Sequence, residues 1–591
     1  MLFLLGHGQC AVQRGGDEKA VEAAKPAAAV CGASEDLAAP AAGPFRYYFP
    51  DAPEQTPAPG ATAALDHLAE KMIAIEDAPA FDSSIPAIFT YLGQFIDHDI
   101  TAGTDREDGL STISGEHVRP LPREQVVRDR GNLRAGSLNL DSLYGGGPNQ
   151  GTFSQRLTEM LRHPSDRSKM WIGTFFDAGL GRVPLPRDPG GDLLRLGRLL
   201  QPPHQQLHEE EIKTLPEPLR SMYVNDDGSI RVQRAIIGDT RNDENLIVAQ
   251  LHLAFLRLHN RLVDHADTAG GPVGDAQAIY EWARQQLQWI YQWLVLNVYL
   301  PTICDAAIVR DTLAQEAPLY SAFFRAGKPA NPDFMPMPLE FSVAAFRFGH
   351  SMVRPAYDWN RFFGRPVKEE TPLLDRASFE LMFAFTGNGP TPMPAPNGGS
   401  LPRLPGHWGA EWDRLASDVN GLPDRSARRI DTKLAPPLSA MANEEQVPLE
   451  LFQHLARRNL RRARRLNIPS AQDCIAGIYA RTQAAIEPLG TAELLSGSTF
   501  EAVRDGGFVE ETPLWFYLLK EAEIQAEGLH LGQLGSRLVA ETLAGLVIND
   551  PNSYWHQSGS DSGRWHPRDG VRPDGWVVDS VPALLKAALL L

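Results

Sequence analysis

The chain has 591 residues, 43% hydrophobic and 22% charged, which excludes a chain disordered throughout, a collagen-like fibre and a coiled-coil rod. Lys and Arg number 56 against 73 Asp and Glu, a net charge of −17, so a surface that coats nucleic acid with clustered cations is not expected. Length alone suggests roughly four domains, but composition does not shift along the chain in a way that would divide it.

Residues 1–43 are rich in Ala, Gly and Glu and poor in large apolar side chains, the pattern of a poorly ordered arm. The opening Met1–Leu5 stretch breaks at Gly6, too short for the core of a secretory leader. Nothing therefore points to Sec export, and cytoplasmic residence and a non-Sec route both stay open. No apolar run reaches the roughly 18 residues a membrane helix needs. From Phe45 onward apolar and aromatic residues recur to the end, so residues 44–591 read as one large domain. Pro/Gly-rich stretches at 143–151 and 386–406 read as surface loops within it. Cys10, Cys31, Cys304 and Cys474 form no CxxC pair, which excludes a disulfide scaffold and a zinc ribbon and leaves reduced, mostly buried thiols.

Helical periodicity dominates. In 245–264, Leu246, Val248, Leu251, Phe255, Leu258 and Leu262 recur at three- and four-residue steps. Segments 276–298, 341–354, 513–523 and 532–547 read the same way, and period-two alternation is scarce. The expected class is mainly α, a single domain with little β structure.

Several chemistries fail on inspection. No GxxxxGK[ST] or GxGxxG follows a strand, so phosphate cradles are missing. GSDSG at 559–563 has Asp561 at its centre and is no nucleophile elbow. His204 and His208 are four apart in HQQLH, but Gln205 cannot serve as the base of a zinc protease, so this reads as a solvated helix start.

Three segments carry polar groups in apolar surroundings. In GQFIDHDI (93–100), Gln94, Asp97 and His98 share one helix face, directly after the apolar run IPAIFTYLG. In GDTRNDEN (238–245), Arg241 and Glu244 are three apart and can project into one site. In AAFRFGHSMV (344–353), His350 is the lone imidazole of an aromatic stretch, and Gly349 before it costs roughly 1 kcal/mol in a helix, which suggests that something flat packs there. Taken singly, each has a plain reading: a solvated helix end, a charged first turn that favours the helix dipole, a core histidine.

Together, in this order and spacing, they resemble the animal-type haem peroxidases of the peroxidase–cyclooxygenase superfamily. GQFIDHDI resembles the distal motif, GDTRNDEN the Arg/Glu motif and AFRFGH the proximal motif. LDSLYG (140–145), LHLAFLRLHNRL (251–262) and TPLWFYLLKEAE (512–523) add to it, and LGSRLVAETLAGLVINDPNSYW (534–555) resembles the closing helix of bacterial members. The likeness covers roughly residues 45–560.

That resemblance implies a haem b cofactor and hydrogen peroxide as oxidant. His98 matches the distal base that takes and returns a proton. Arg241 matches the cation that stabilises charge developing as the O–O bond breaks, and Gln94 the amide that orients water or a halide. His350 matches the proximal iron ligand, with Asn459 of RNLRRARRLNIP (458–469) holding its other ring nitrogen. Arg347 and Arg462 fall where the family meets haem propionates, and Asp97 and Glu244 match the carboxylates that form esters to haem methyl groups. Calcium ligands are implied at Asp99, Ser137, Asn139 and Asp141.

Departures refine this. Asn245 follows Glu244 where a methionine forms a sulfonium link in myeloperoxidase, which implies a milder oxidant that uses chloride poorly. Ala135 and Asn139 replace the usual Thr and Asp of the calcium loop, and RRLN (464–467) stands where RDHG is usual. The expected donors are halides, thiocyanate or small organic molecules. A fatty-acid dioxygenase is the alternative enzyme, but Arg347 stands where its radical tyrosine belongs, with Tyr357 as another possible radical host. An adhesion protein that only retains the fold is the non-enzymatic alternative; intact His98, Arg241 and His350 argue against it.

Overall fold

The computed structural model describes residues 43–102, 113, 115–145, 152–175, 191–215, 219–225, 227–327, 334–365, 372–387, 404–417, 422–441 and 453–591. The expected arm at 1–43, except Gly43, which begins a strand, and most of the loops at 143–151 and 386–406 lie outside them. Among the described residues, one continuous apolar cluster runs from Phe45 to Ala588.

Helices supply the frame: α1 (Ala61–Lys71), α2 (Ile88–Ile100), α3 (Leu246–Asp264), α4 (Ala276–Leu294), α5 (Leu455–Arg465), α6 (Leu514–Gln525) and α7 (Gln533–Ile548). Strands are short and tie distant segments together. Gly43–Arg46 lies between Gly131–Asn132 (antiparallel) and Met337–Pro338 (parallel). Asp82–Pro86 pairs with Ser426–Arg428, and Ala356–Tyr357 with Ala377–Ser378.

The helices α2, α3 and α4 are joined by rings. Phe95 of α2 stacks on Phe255 of α3 at 4.7 Å and 6°. Tyr291 of α4 meets both edge-on, at 6.0 and 5.8 Å, the arrangement ring quadrupoles favour. This fixes how far α2 can slide or rotate. Asn245 caps α3, its side-chain oxygen accepting from Val248 N–H at 3.0 Å. At the end of α4 the chain widens into a π turn, Val295–Tyr299, a distortion common at functional sites. It brings Tyr299 against Gly93, where an added Cβ would lie 2.4 Å from the phenol oxygen. Gly93 is small because Tyr299 needs the space.

The helix expected over 341–354 is instead two short pieces, Leu339–Val343 and a 3₁₀ turn Ala345–His350, broken at Ala344. Tertiary contact overrides periodicity here. The Trp515 indole of α6 donates to the Arg347 carbonyl at 3.1 Å, and Ser351 N–H turns to Phe348 O at 3.0 Å, so the carbonyl that would close an α turn is taken. HQQLH is not one helix either: His208 is the N-cap of Glu209–Lys213 and His204 lies before it. Cys304 and Cys474 are buried and unbridged. No described helix is long and apolar enough to cross a membrane.

Candidate active site

Each of the three polar segments reaches one cavity, about 1020 Å³ of non-atom space with its open mouth included. Gln94, Asp97 and His98 enter from α2, Arg241 and Glu244 from the 3₁₀ turn Thr240–Asp243 and the residue after it, and Arg347 and His350 from the proximal turn. Apolar lining comes from Phe89, Phe346, Phe379, Phe383, Leu438 and Leu455. Such an apolar chamber with a few convergent polar groups is how proteins hold a cofactor.

On the α2 side the polar groups bind one another. His98 is buried, and its Nδ1 lies 2.9 Å from Asn242 Oδ1. Burial and the neighbouring Arg241 cation push its pKa down to about 3, so the imidazole is neutral and able to accept a proton. Asp239 caps the 3₁₀ turn, accepting from Arg241 N–H at 2.9 Å and from the Arg241 guanidinium at 2.7 Å. The guanidinium also donates to His98 O at 2.9 Å and Thr101 O at 2.8 Å. Arg134 pairs with the same Asp239 carboxylate, and the two cations hold that carboxyl far below its usual range. Asp243, at the end of the same turn, is buried and paired with Arg195 at 2.7 Å.

Gln94 is clamped at both ends of its amide: Nε2 donates to Glu244 Oε1, and Oε1 accepts from Asn245 Nδ2 at 3.0 Å. Asp97 Oδ1 accepts from the Thr101 hydroxyl at 2.7 Å. Both carboxylates expected to touch a cofactor therefore line the cavity, Glu244 buried and Asp97 half-buried.

On the proximal side Asn459 of α5 meets His350, its Nδ2 at 3.0 Å from Nδ1, while its Oδ1 lies 3.5 Å from Arg347 Nη1. The amide nitrogen thus faces the imidazole and the amide oxygen faces Arg347; a half-turn of the amide exchanges the two. Trp515 stands edge-on to His350 at 6.5 Å. Gly349 faces open space, with nothing within 4 Å of an added Cβ, as a wall against a flat ligand requires. Arg347 lines the cavity, its Nε donating to Ser342 O at 3.1 Å. Arg462 does not: it lies buried on α5 outside the lining.

The residues of the calcium expectation lie close together in the fold. Asp99 and Asp141 are both buried, and burial followed by the Asp141 charge pushes Asp99 up to about 7. Asp99 accepts from Leu140 and Ser142 N–H at 3.1 and 3.0 Å, and Asn139 donates to Ser137 Oγ at 2.8 Å. Among the described residues no group of three or more His, Cys, Asp or Glu is placed to hold a metal ion.

Sequence reasoning missed Tyr91, Tyr299 and Met441, which also line the cavity. Tyr91 sits three residues before Gln94, so one helical turn back along α2 was its signal. Tyr357, considered as a radical host, is fully buried behind Tyr91 and outside the lining.

Residues 198–384 match the family model for animal haem peroxidase, a span that includes Arg241, Glu244, Arg347 and His350. The chain is 26% identical over 304 residues to a peroxidase-like protein of Margaritifera margaritifera, 50% of this chain and 35% of that one. It is 33% identical over 162 residues to a chorion peroxidase of Aedes aegypti, 25% of this chain and 19% of that one. It thus spans about a third of the length of these relatives, or less. Among solved structures, peroxidase A from Dictyostelium discoideum matches at a TM-score of 0.54 and 16% identity, covering 93% of each chain. Fatty acid alpha-dioxygenase of Oryza sativa matches at 0.50 and 11%, covering 90% and 81%. Both structures speak to the shared fold alone.

Proposed function

We propose that this chain, a peroxidase–cyclooxygenase superfamily member carrying an animal haem peroxidase domain, is a haem-dependent enzyme that reduces hydrogen peroxide and oxidises small donors. The observation that carries this is the convergence of His98, Arg241 and His350, from three separate segments, on one largely apolar cavity. The residues present fit haem: an imidazole to ligate iron at His350, a glycine wall at Gly349, and carboxylates at Asp97 and Glu244 that could esterify its methyl groups. Arg347, which lines the cavity, would meet a propionate. The cofactor supplies the redox chemistry and the place where peroxide is held.

The protein's own part is proton handling and electrostatics. Neutral His98 takes a proton from peroxide and returns it to the departing oxygen, work that needs a bare ring nitrogen facing the cavity. Arg241 stabilises the negative charge that develops on the departing oxygen, and its guanidinium is held in place beforehand by Asp239, so little reorganisation is needed. Gln94, clamped by Glu244 and Asn245, presents a fixed amide to water or a halide. With Asn245 capping α3 where the family's sulfonium methionine would follow Glu244, that link is missing, and iodide, thiocyanate and bromide are preferred over chloride. Calcium would take oxygens of Asp99, Ser137, Asn139 and Asp141.

The test is a spectrum and two substrates. The purified holoprotein should show a Soret band that changes on adding peroxide, and haem should resist acid–acetone extraction after peroxide treatment. Iodide with peroxide should give triiodide, while linoleate with oxygen should consume none above background. Oxygen uptake with linoleate faster than halide oxidation would move the assignment to a dioxygenase.

A further inference from the structure

Behind His98 lies a buried chain of polar groups that neither the family motifs nor the proposed reaction assigns. Asn242 projects between two imidazoles: its Oδ1 is 2.9 Å from His98 Nδ1 and its Nδ2 is 3.1 Å from His252 Nδ1. His252 comes from α3, nearly two turns beyond its N-terminus, and is fully buried with Phe95 edge-on at 6.0 Å. Its Nε2 is buried with no hydrogen-bond partner. The charged groups facing this chain are Arg241 and Asp239 on the 3₁₀ turn and Arg134 from the loop after Asn132.

We infer that Asn242 is a positioning residue that fixes the tautomer of His98, and that His252 in turn fixes Asn242. An amide has one end that accepts and one that donates. With Oδ1 toward His98, the histidine must carry its proton on Nδ1 and present a bare Nε2 lone pair to the cavity. Turned end for end, the amide would place the proton on Nε2, and a ring with N–H facing the peroxide cannot take a second proton without becoming an imidazolium. His252 completes the couple, and the Arg241 cation selects between the two. Accepting at Nδ1, His252 is matched to the amide's donor end and keeps its own proton on Nε2, in the apolar pocket against Phe95. The guanidinium of Arg241 lines the same cavity, and a cation there favours a lone pair over an N–H pointing inward. Loss of the correct tautomer at a catalytic histidine costs about 10⁴ in rate in the serine-protease triad, so a single amide can carry much of the acid–base contribution.

The inference rests on the peroxidase reading but fails separately from it. Wild-type holoprotein that binds haem and reacts with peroxide upholds that reading whatever the variants do. Asn242→Leu keeps shape and removes both hydrogen bonds; it should slow reaction with peroxide by about 10- to 1000-fold while the Soret band and haem content stay those of wild type. Asn242→Asp restores an accepting oxygen and should recover most of the rate. His252→Phe should give a smaller loss, about tenfold or less, because the amide then turns freely. Nitrogen-15 NMR of histidine-labelled protein in the diamagnetic ferrous carbonyl form reads the tautomer directly. Wild type should show His98 protonated on Nδ1, and Asn242→Leu a mixture. A wild-type rate in Asn242→Leu, a wild-type His98 protonated on Nε2, or an Asn242→Asp as slow as Asn242→Leu would each overturn it. If Asn242→Leu does not fold, the His252→Phe rate and spectrum decide.

Discussion

The two sides of the cavity are built differently. His98, Asn242, Asp239 and Arg241 come from α2 and from one turn just ahead of α3, and they bind one another in a closed, buried network. His350 sits half-buried in a 3₁₀ turn whose shape depends on Trp515 and Asn459, residues more than a hundred positions away. Both sides draw on distant segments, 144 positions apart for His98 and Asn242 and 109 for Asn459 and His350; the first is a buried network of hydrogen bonds, the second a half-buried turn held by one amide and one indole. Proton transfer needs the first kind, because its rate depends on which nitrogen carries a proton. Under the proposed function, holding an iron ligand would tolerate the second.

That contrast can be broken from either side. His98→Ala should slow the peroxide reaction by about 10²–10⁴-fold and leave haem content unchanged, as stopped-flow absorbance would read. His350→Ala should do the reverse, with haem content falling before any rate can be measured. If both variants lost haem equally, the division of labour between the two sides would be wrong.

Gly93→Ala tests the packing of α2 against the π turn. Its methyl would lie 2.4 Å from Tyr299 Oη, an overpacking worth about 1–3 kcal/mol, to be measured by urea unfolding. Adding Tyr299→Phe should return part of that loss, since the clashing atom is the hydroxyl.

The buried polar network also leaves a pH signature. Burial pushes His252 down to about 3, below the unfolded value near 6.5. Its contribution to stability is therefore present above about pH 6.5 and is lost as pH falls toward 3, at up to about 1.4 kcal/mol per pH unit. Between pH 7 and pH 5 the wild type should lose about 1–2 kcal/mol more than His252→Phe does. Parallel urea midpoints for the two proteins would contradict this.

Trp515→Phe should give the smallest effect, about 1 kcal/mol for the lost indole hydrogen bond, with haem retained. Its sharper readout is the proximal turn: with the Arg347 carbonyl released, the Soret maximum should shift while the peroxide rate stays within about threefold.

Much of this molecule was written in local pattern. The helices at 245–264, 513–523 and 532–547 stand within a residue or two of where apolar spacing put them, because each buries a face wide enough to dominate its own conformation. Gln94, Asp97 and His98 share a helix face by period alone, and Arg241 and Glu244 reach the site from one short turn. Spacing could not supply what depends on partners elsewhere in the chain. Past the break at Ala344 the turn ends as 3₁₀ at Ser351, where an indole from α6 takes the Arg347 carbonyl that an α turn would use. Arg462 stays outside the cavity though Asn459, three residues before it, reaches His350. Asp243, polar in sequence, is buried because Arg195 waits for it. Tyr299 enters the cavity through a π turn that no periodicity announces. Side-chain type and helical period are properties of a few neighbouring residues and are legible there. Which hydrogen bond a carbonyl, an amide or a carboxylate finally makes is settled only when distant segments compete for it.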